Sequence, residues 1–468
     1  MVFSSASFLL LFLPLFLLLY FAVPRVLKNY VLLIASLVFY YVGVQSQVFV
    51  MLGVILLNYA AALLIDRIRD KTHLKRLVLI LSLVLSFSVL FYFKYFNFVF
   101  DSFYSLAGKS WEALDILLPI GISFYLFQTV SYTVDVYKNE VKPRKNPFIL
   151  ATYVTMFPQL VAGPIVRYRD IEAMLDTRRE SFDKASEGIR RFVIGLAKKV
   201  ILANTLAEMT KTIRELDERT VLLYWVWAIG FTLTIYFDFS GYSDMAIGLG
   251  KILGFDFLEN FNYPYESNSI TEFFRRWHIS LSSWFRDYVY IPLGGNRRGR
   301  ARQIMNLAVV WILTGLWHGA AWNFVLWGLL YAVLLILEKT LSPVLGKKVP
   351  SVFKHLYTIL FVVLGFVLFD AVSLQDALIR IGGMFGIGEA AFWGIETRYL
   401  ITSYGTVMLI AAIASLSLGK RAVSKIIEKP LGKTILSWSE PFFLLFLFAI
   451  SLAFVIDSSF NPFIYFRF

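Results

Sequence analysis

Nine apolar runs close to the length that a helix needs to cross a ~30 Å hydrocarbon core organise this sequence: residues 7–23, 29–44, 48–65, 77–98, 116–137, 221–238, 355–373, 400–418 and 440–458. In hydrocarbon every backbone N–H and C=O must find its partner within the protein, so runs of this kind read as helices and the chain as an all-α, polytopic membrane protein. Composition agrees. With 58% hydrophobic and only 16% charged residues and a mean hydropathy of +0.67, the chain lies outside the range of ordinary soluble domains. Phe, Tyr and Trp make up 17%, as suits aromatic belts at two membrane–water interfaces.

The formal charge of +13 has a topological explanation. Arg25/Lys28, the cluster Arg67–Arg69–Lys71–Lys75–Arg76, and Lys138–Lys142–Arg144–Lys145 follow the first, third and fifth runs, whereas 45–47 and 99–113 are poor in basic residues. Basic residues collect in cytoplasmic loops, which places the N-terminus outside; membrane lipids are the expected surroundings, and nucleic acid is not read as a partner. The segment from Met1 to Val23 lacks a basic leader and an Ala-x-Ala-like site, and is read as a retained first helix. The whole of 1–468 is expected to form one membrane-embedded domain, with N-terminal helices in 1–137, a core in 138–338 and C-terminal helices in 339–468. Some ten to twelve membrane segments are expected, re-entrant ones included.

Three stretches depart from simple spans. Residues 148–165 are apolar but contain Pro158, Gly163 and Pro164 between basic flanks, which predicts a re-entrant segment. The 34 residues of 304–337 would make a helix of ~51 Å, too long for one upright span and too short for two with a turn; a break is expected near Thr314–Gly315. From Ser269 and Glu272, a capping-box pair, the apolar residues Ile270, Phe273, Phe274, Trp277, Leu281, Trp284 and Phe285 recur at helical spacing, predicting one amphipathic helix at the membrane interface. The nearest thing to a linker is 338–354.

The chemistry open to the chain is narrow. There is no cysteine, hence no thiolate nucleophile and no disulfide. Gly432–Lys433–Thr434 lacks the upstream glycine of a phosphate-binding loop, since position 427 is Ile, and no Gly-x-Ser-x-Gly elbow occurs. The four histidines are tens of residues apart, without metal-ligand spacing, so no metal is expected. Two of them stand out: His318, in Trp311–Ile–Leu–Thr–Gly–Leu–Trp317–His318–Gly–Ala–Ala–Trp322, and His278, in Phe273–Phe–Arg–Arg–Trp277–His278. An imidazole in an apolar, tryptophan-rich run is costly unless used, and suits a general base that removes a proton from a hydroxyl as it attacks an activated acyl group. A histidine that only packs helices is the structural alternative. Asp238 and Asp244 read as structural carboxylates paired with Arg or a helix N-terminus.

The series Phe124–Tyr–Leu–Phe–Gln–Thr–Val–Ser–Tyr–Thr–Val–Asp135, Phe157–Pro–Gln–Leu–Val–Ala–Gly–Pro164, Phe237–Asp–Phe–Ser–Gly–Tyr–Ser–Asp244, Arg276–Trp–His278, Trp284 through Ile291–Pro–Leu–Gly–Gly–Asn–Arg297, and Leu316–Trp–His–Gly319 resembles the membrane-bound O-acyltransferases, in particular the bacterial branch that acetylates exported polysaccharides such as alginate. The resemblance runs from Val2 almost to the C-terminus. It implies a polytopic acyltransferase in the bacterial cell membrane, with His318 at the position of the family's catalytic histidine and His278 at its second motif histidine. It also implies a cytoplasmic acyl donor, acetyl-CoA or another acyl thioester, used as substrate with no permanently bound cofactor. Delivery to sugar hydroxyls would then need an extracytoplasmic partner transferase of the Ser-His-Asp type. Arg275, Arg276, Arg286 and Arg297, within a basic cluster that continues through Arg298, Arg300 and Arg302, are the candidate donor-binding residues, together with Trp317; a purely topological role for this charge is the alternative. Two other functions stay open: D-alanyl transfer to teichoic acid, and a transporter or flippase using Asp238, Asp244 and Lys94 as ion-coupling groups. His318 is expected to line a cavity that opens to the cytoplasm, with His278 near its mouth.

Overall fold

The computed structural model describes residues 2–345, 349–388 and 390–457; residue 458 of the last apolar run and 346–348 of the 338–354 connection lie outside them. Helix is the only regular secondary structure among the described residues. Among the described residues, seven helical stretches are long and apolar enough to cross a membrane: Arg25–Arg67, Thr72–Leu106, Val221–Ile252, Trp322–Leu341, Ser351–Asp370, Ile395–Ala414 and Pro430–Asp457. The first contains two of the apolar runs, 29–44 and 48–65, joined by a 3-10 turn at Gln45–Gln47. Shorter or more polar helices, among them Ser7–Ala22, Ile122–Tyr137 and Arg300–His318, fall outside that set. Several boundaries differ from the apolar runs. The run 116–137 becomes helical only at Ile122, because Gly121 adopts a left-handed conformation (φ +74°). The run 221–238 continues to Ile252.

Two compact units divide the chain, Met1–Phe192 with Met245–Leu258, and Val193–Asp244 with Glu259–Phe468. In the first, Ile122–Tyr137 is buried on nearly every face. Asn58 ties it to its neighbours: Asn58 Nδ2 donates to Ser86 Oγ at 3.0 Å, and Asn58 Oδ1 accepts from Thr133 Oγ1 at 2.8 Å, the kind of polar bridge that fastens helices in an apolar medium. Within 148–165 the helix is interrupted. Pro147–Thr155 ends at Met156, one further turn forms at Phe157–Leu160, and the chain then runs irregularly. Phe157 fills the centre of a ring cluster, 5.1 to 5.6 Å from Phe12, Phe16 and Phe39, while its backbone N–H donates to Ser36 Oγ at 3.1 Å.

In the second unit, two consecutive lysines of the π-helical turn Lys198–Ala203 face the helix Val221–Ile252. Lys199 pairs with Asp238, and Lys198 with Asp244 at 2.7 Å. Each carboxylate therefore has a lysine among its partners. Gly241 between them allows backbone contact, since a Cβ there would come within 2.7 Å of the Gly195 carbonyl oxygen.

The stretch 304–337 is a hairpin of two helices, Arg300–His318 and Trp322–Leu345. Helix begins before residue 304 and ends after 337, so there is chain enough for two helices and a turn. The break falls at Gly319–Ala321 and not at Thr314–Gly315. Gly315 serves another purpose. A Cβ on Gly315 would overlap the Phe324 carbonyl oxygen, and one on Gly328 would overlap that of Trp311, so the two glycines let the helices touch backbone to backbone. Because the obstructing atoms are backbone, Gly315→Ala and Gly328→Ala should each lower stability by about 1–3 kcal/mol, read as reduced thermal stability in detergent. Gly53→Ala, where a Cβ meets nothing within 4 Å, should leave it unchanged or raised.

Candidate active site

The sequence stripe from Ile270 to Phe285 is buried throughout, yet it does not lie on one helix. Ile270–Arg276 stops at Trp277, whose backbone is extended, His278 adopts φ +43° and ψ +54°, and a new helix begins at Ile279. A left-handed conformation costs an L-residue roughly 1–2 kcal/mol, so the surroundings must hold it. Asn260 does much of this. Its backbone carbonyl accepts from Ile279 N–H at 3.0 Å, and its Oδ1 accepts from Ser280 N–H at 3.2 Å and Ser280 Oγ at 2.9 Å, satisfying donors that the first turn of a helix leaves orphaned. The start of the preceding helix is held likewise: Ser269 Oγ accepts from Glu272 N–H, and Glu338 accepts from Ile270 N–H, Thr271 N–H and Thr271 Oγ1 at 2.6–2.9 Å.

Asn260 also sets the chemistry of His278. Its Oδ1 lies 3.1 Å from His278 Nδ1. An atom that accepts a backbone N–H must be the amide oxygen, so Nδ1 carries the hydrogen and donates. The Nε2 lone pair is left over, buried and without a hydrogen-bond partner among the described residues.

His318 is the last residue of Arg300–His318 and is buried. Its ring meets Trp317, Trp327 and Phe369 with centroids 5.1, 5.1 and 5.3 Å apart. Asn323 at the start of the second hairpin helix donates to the carbonyls of Phe369 and Ala371 at 3.2 and 2.9 Å, fixing the segment that carries Phe369. Trp317 also meets His278, centroid to centroid at 5.7 Å, so one indole touches both imidazoles.

Both histidines line one cavity of about 460 Å³, with Phe274, Trp311, Thr314 and Trp327 among its walls. Trp327 Nε1 is a buried N–H without an acceptor among the described residues. Two imidazoles, one with an open acceptor, and an indole with an open donor therefore line a chamber walled by aromatic and aliphatic side chains. Of the candidate donor-binding residues, Arg275 and Arg286 line the cavity; Arg276 and Arg297 do not, and neither does Trp317. Arg276 is held by Glu272 at 2.8 Å, and Arg297 is exposed in the loop after the π-turn. Asn260, Trp327 and Glu338 were missed in the sequence. Asn260 lies 18 residues from His278 with no periodic relation to it, Trp327 is one aromatic within an apolar run, and Glu338 reads as the end of a span.

The membrane-bound O-acyltransferase family profile matches residues 78–375. A probable alginate O-acetylase AlgI of Pseudomonas putida is 38% identical over 486 aligned positions, covering 100% of both chains. A protein of the same name from Pseudomonas aeruginosa is 42% identical, covering 86% of this chain and 80% of its own, and a peptidoglycan O-acetyltransferase of Helicobacter pylori is 34% identical, covering 83% and 80%. The chain belongs to the membrane-bound O-acyltransferase family and is a multi-pass membrane acyltransferase.

If Asn260 fixes the tautomer of His278, Asn260→Ala should lower acyl transfer by about tenfold or more through loss of buried hydrogen bonds. His278→Asn, which keeps a hydrogen-bonding side chain but no base, should retain measurable transfer. Initial rates at saturating donor, with circular dichroism as the fold control, check both; a complete loss in His278→Asn would make this residue the proton-exchanging one.

Proposed function

We propose that this enzyme takes an acetyl group from a cytoplasmic thioester, acetyl-CoA or a similar donor, and passes it outward for O-acetylation of an exported or cell-wall polysaccharide such as alginate. The observation that carries the reading is the shared cavity of His318 and His278, with arginines on its wall and aromatic rings around it. Similarity over whole chains to proteins named for alginate and peptidoglycan O-acetylation supports the choice of acceptor. An extracytoplasmic Ser-His-Asp-type transferase is the partner that would receive the acetyl group.

His318 takes the role of general base. It removes the proton of the attacking hydroxyl as the new C–O bond forms; the C–S bond of the thioester breaks, and the leaving thiolate recovers the proton from the imidazolium. Its place at the C-terminal end of a 19-residue helix favours the transient cation, because helix carbonyls present partial negative charge there. His278 stands at the opposite kind of helix end. It caps the N-terminus of Ile279–Phe285, which continues into the turn Arg286–Tyr290, so it stays a neutral acceptor that orients a hydroxyl through Nε2. The Trp327 N–H is available to the thioester carbonyl oxygen. Arg275 and Arg286 suit the phosphates of a nucleotide-bearing donor.

With reconstituted protein and labelled acetyl-CoA, His318→Ala should reduce transfer by at least about 100-fold at unchanged expression; near-normal transfer would overturn the mechanism. Arg275→Ala and Arg286→Ala should raise the apparent donor KM with little change in membrane insertion. Arg276→Ala and Arg297→Ala, outside the cavity, should leave KM alone. Equal effects at all four arginines, or poor insertion at unchanged KM, would make the basic cluster an orientation signal.

A further inference from the structure

A second cavity, of about 630 Å³, lies within the first unit, among residues that follow the first apolar run, precede Pro147–Thr155 and close the helix Tyr168–Thr177. Its wall carries four cations, Arg25, Arg144, Lys145 and Arg178, against two carboxylates, Asp176 and Glu180. Both carboxylates are engaged, Asp176 by Arg144 and Glu180 by Lys28 at 3.1 Å. Arg25, Lys145 and Arg178 have no carboxylate partner among the described residues.

Arg178 separates this from ordinary loop charge. It is only 7% exposed and is held on several sides: Nε donates to Tyr20 Oη at 3.0 Å, Nη1 to Asn29 Oδ1 at 2.6 Å, and the guanidinium lies 4.6 Å from the Phe255 ring centroid. Its remaining nitrogen, Nη2, makes no hydrogen bond among the described residues. Arg25 joins it by donating from Nη2 to the Arg178 carbonyl at 2.7 Å. A buried guanidinium without a counter-ion is costly. Charge that served orientation alone would be solvated, not built into a wall with one donor left open.

Apolar side chains stand exposed beside this charge. Val26, on the cavity wall, is 80% exposed, and Phe148, beside Pro147 and Ile149, is 55% exposed. We propose that this cavity is a binding site for the phosphodiester of an anionic phospholipid, with Arg178 Nη2, Arg25 and Lys145 as donors and with Val26 and Phe148 against the acyl chains. The site favours a headgroup with no cation of its own, since a quaternary ammonium would meet Arg25 and Lys145. The phosphates of a soluble nucleotide share the binding chemistry but have no use for the apolar rim.

The test is native mass spectrometry of the purified full-length chain in detergent, offered phosphatidylglycerol or phosphatidylcholine of the same acyl composition, with and without 3′,5′-ADP. One phosphatidylglycerol should be retained in preference to phosphatidylcholine by about tenfold or more, as one or two charge-assisted hydrogen bonds allow, and should resist the nucleotide. Arg178→Gln should remove the preference. Should that buried change disturb folding, the double variant Arg25→Ala with Lys145→Ala, both exposed, should reduce it without loss of thermal stability. Equal retention of the two lipids, or a preference that survives both variants, overturns the site; displacement by 3′,5′-ADP overturns the lipid in favour of a soluble phosphate ligand.

Discussion

A backbone N–H or C=O left without a partner in an apolar interior costs several kcal/mol, and the way this chain meets that demand organises its architecture. Continuous helix meets it without help. Where the helix stops inside the protein, a side chain from elsewhere in the sequence takes over: Ser36 at Phe157, Asn260 at Ser280, and Glu338 at Ile270 and Thr271. Asn323 does the same for the carbonyls of Phe369 and Ala371. These polar residues are sparse in a chain this apolar, and each is fixed in place by the break that it serves.

The breaks matter because both motif histidines sit at one. His318 ends the first helix of a hairpin, and His278 occupies a left-handed position between two short helices. A histidine in mid-helix has both its ring direction and its backbone environment set by the regular ladder. At a helix end the imidazole projects past the last turn, and the partial charges of the unsatisfied backbone act on it. The ends have opposite sign for the two residues, so two chemically identical side chains meet different backbone fields in one cavity. The same irregularity that would be a defect in a purely structural bundle therefore creates the site.

Elsewhere the charged groups are used to fasten helices. Lys198 and Lys199 meet Asp244 and Asp238 across a contact close enough that Gly241 has no room for a side chain. Removing one partner of the buried Lys199–Asp238 pair strands a buried charge, a loss of roughly 3–5 kcal/mol. This engagement argues against ion-coupling roles for the two carboxylates, which the transporter alternative required, and agrees with the acyltransferase family to which the chain belongs.

Much of this protein was legible in the order of its residues. Hydrophobic length announced a helical membrane protein, because a bilayer sets a minimum run that soluble helices do not need. Proline and glycine marked the interrupted segment after Phe148, and the motif series around His278 and His318 pointed to acyl transfer. What the sequence did not disclose is of another kind. A helical period in the stripe from Ile270 to Phe285 looks the same whether one helix carries it or two, since both halves bury the same face; only Asn260, brought alongside from another loop, makes the break at His278 affordable. Gly315 signalled a break by composition, but it is a site of helix contact, which depends on Gly328 and Phe324 lying opposite. Arg275 and Arg276 are neighbours in sequence and equal in charge, and only the direction in which each leaves its helix puts one on the cavity wall and the other against Glu272. Local pattern fixes which residues are buried and roughly where helices run. Which donor meets which acceptor, and which nitrogen of His278 is left open, is decided by segments far apart in the chain meeting in space.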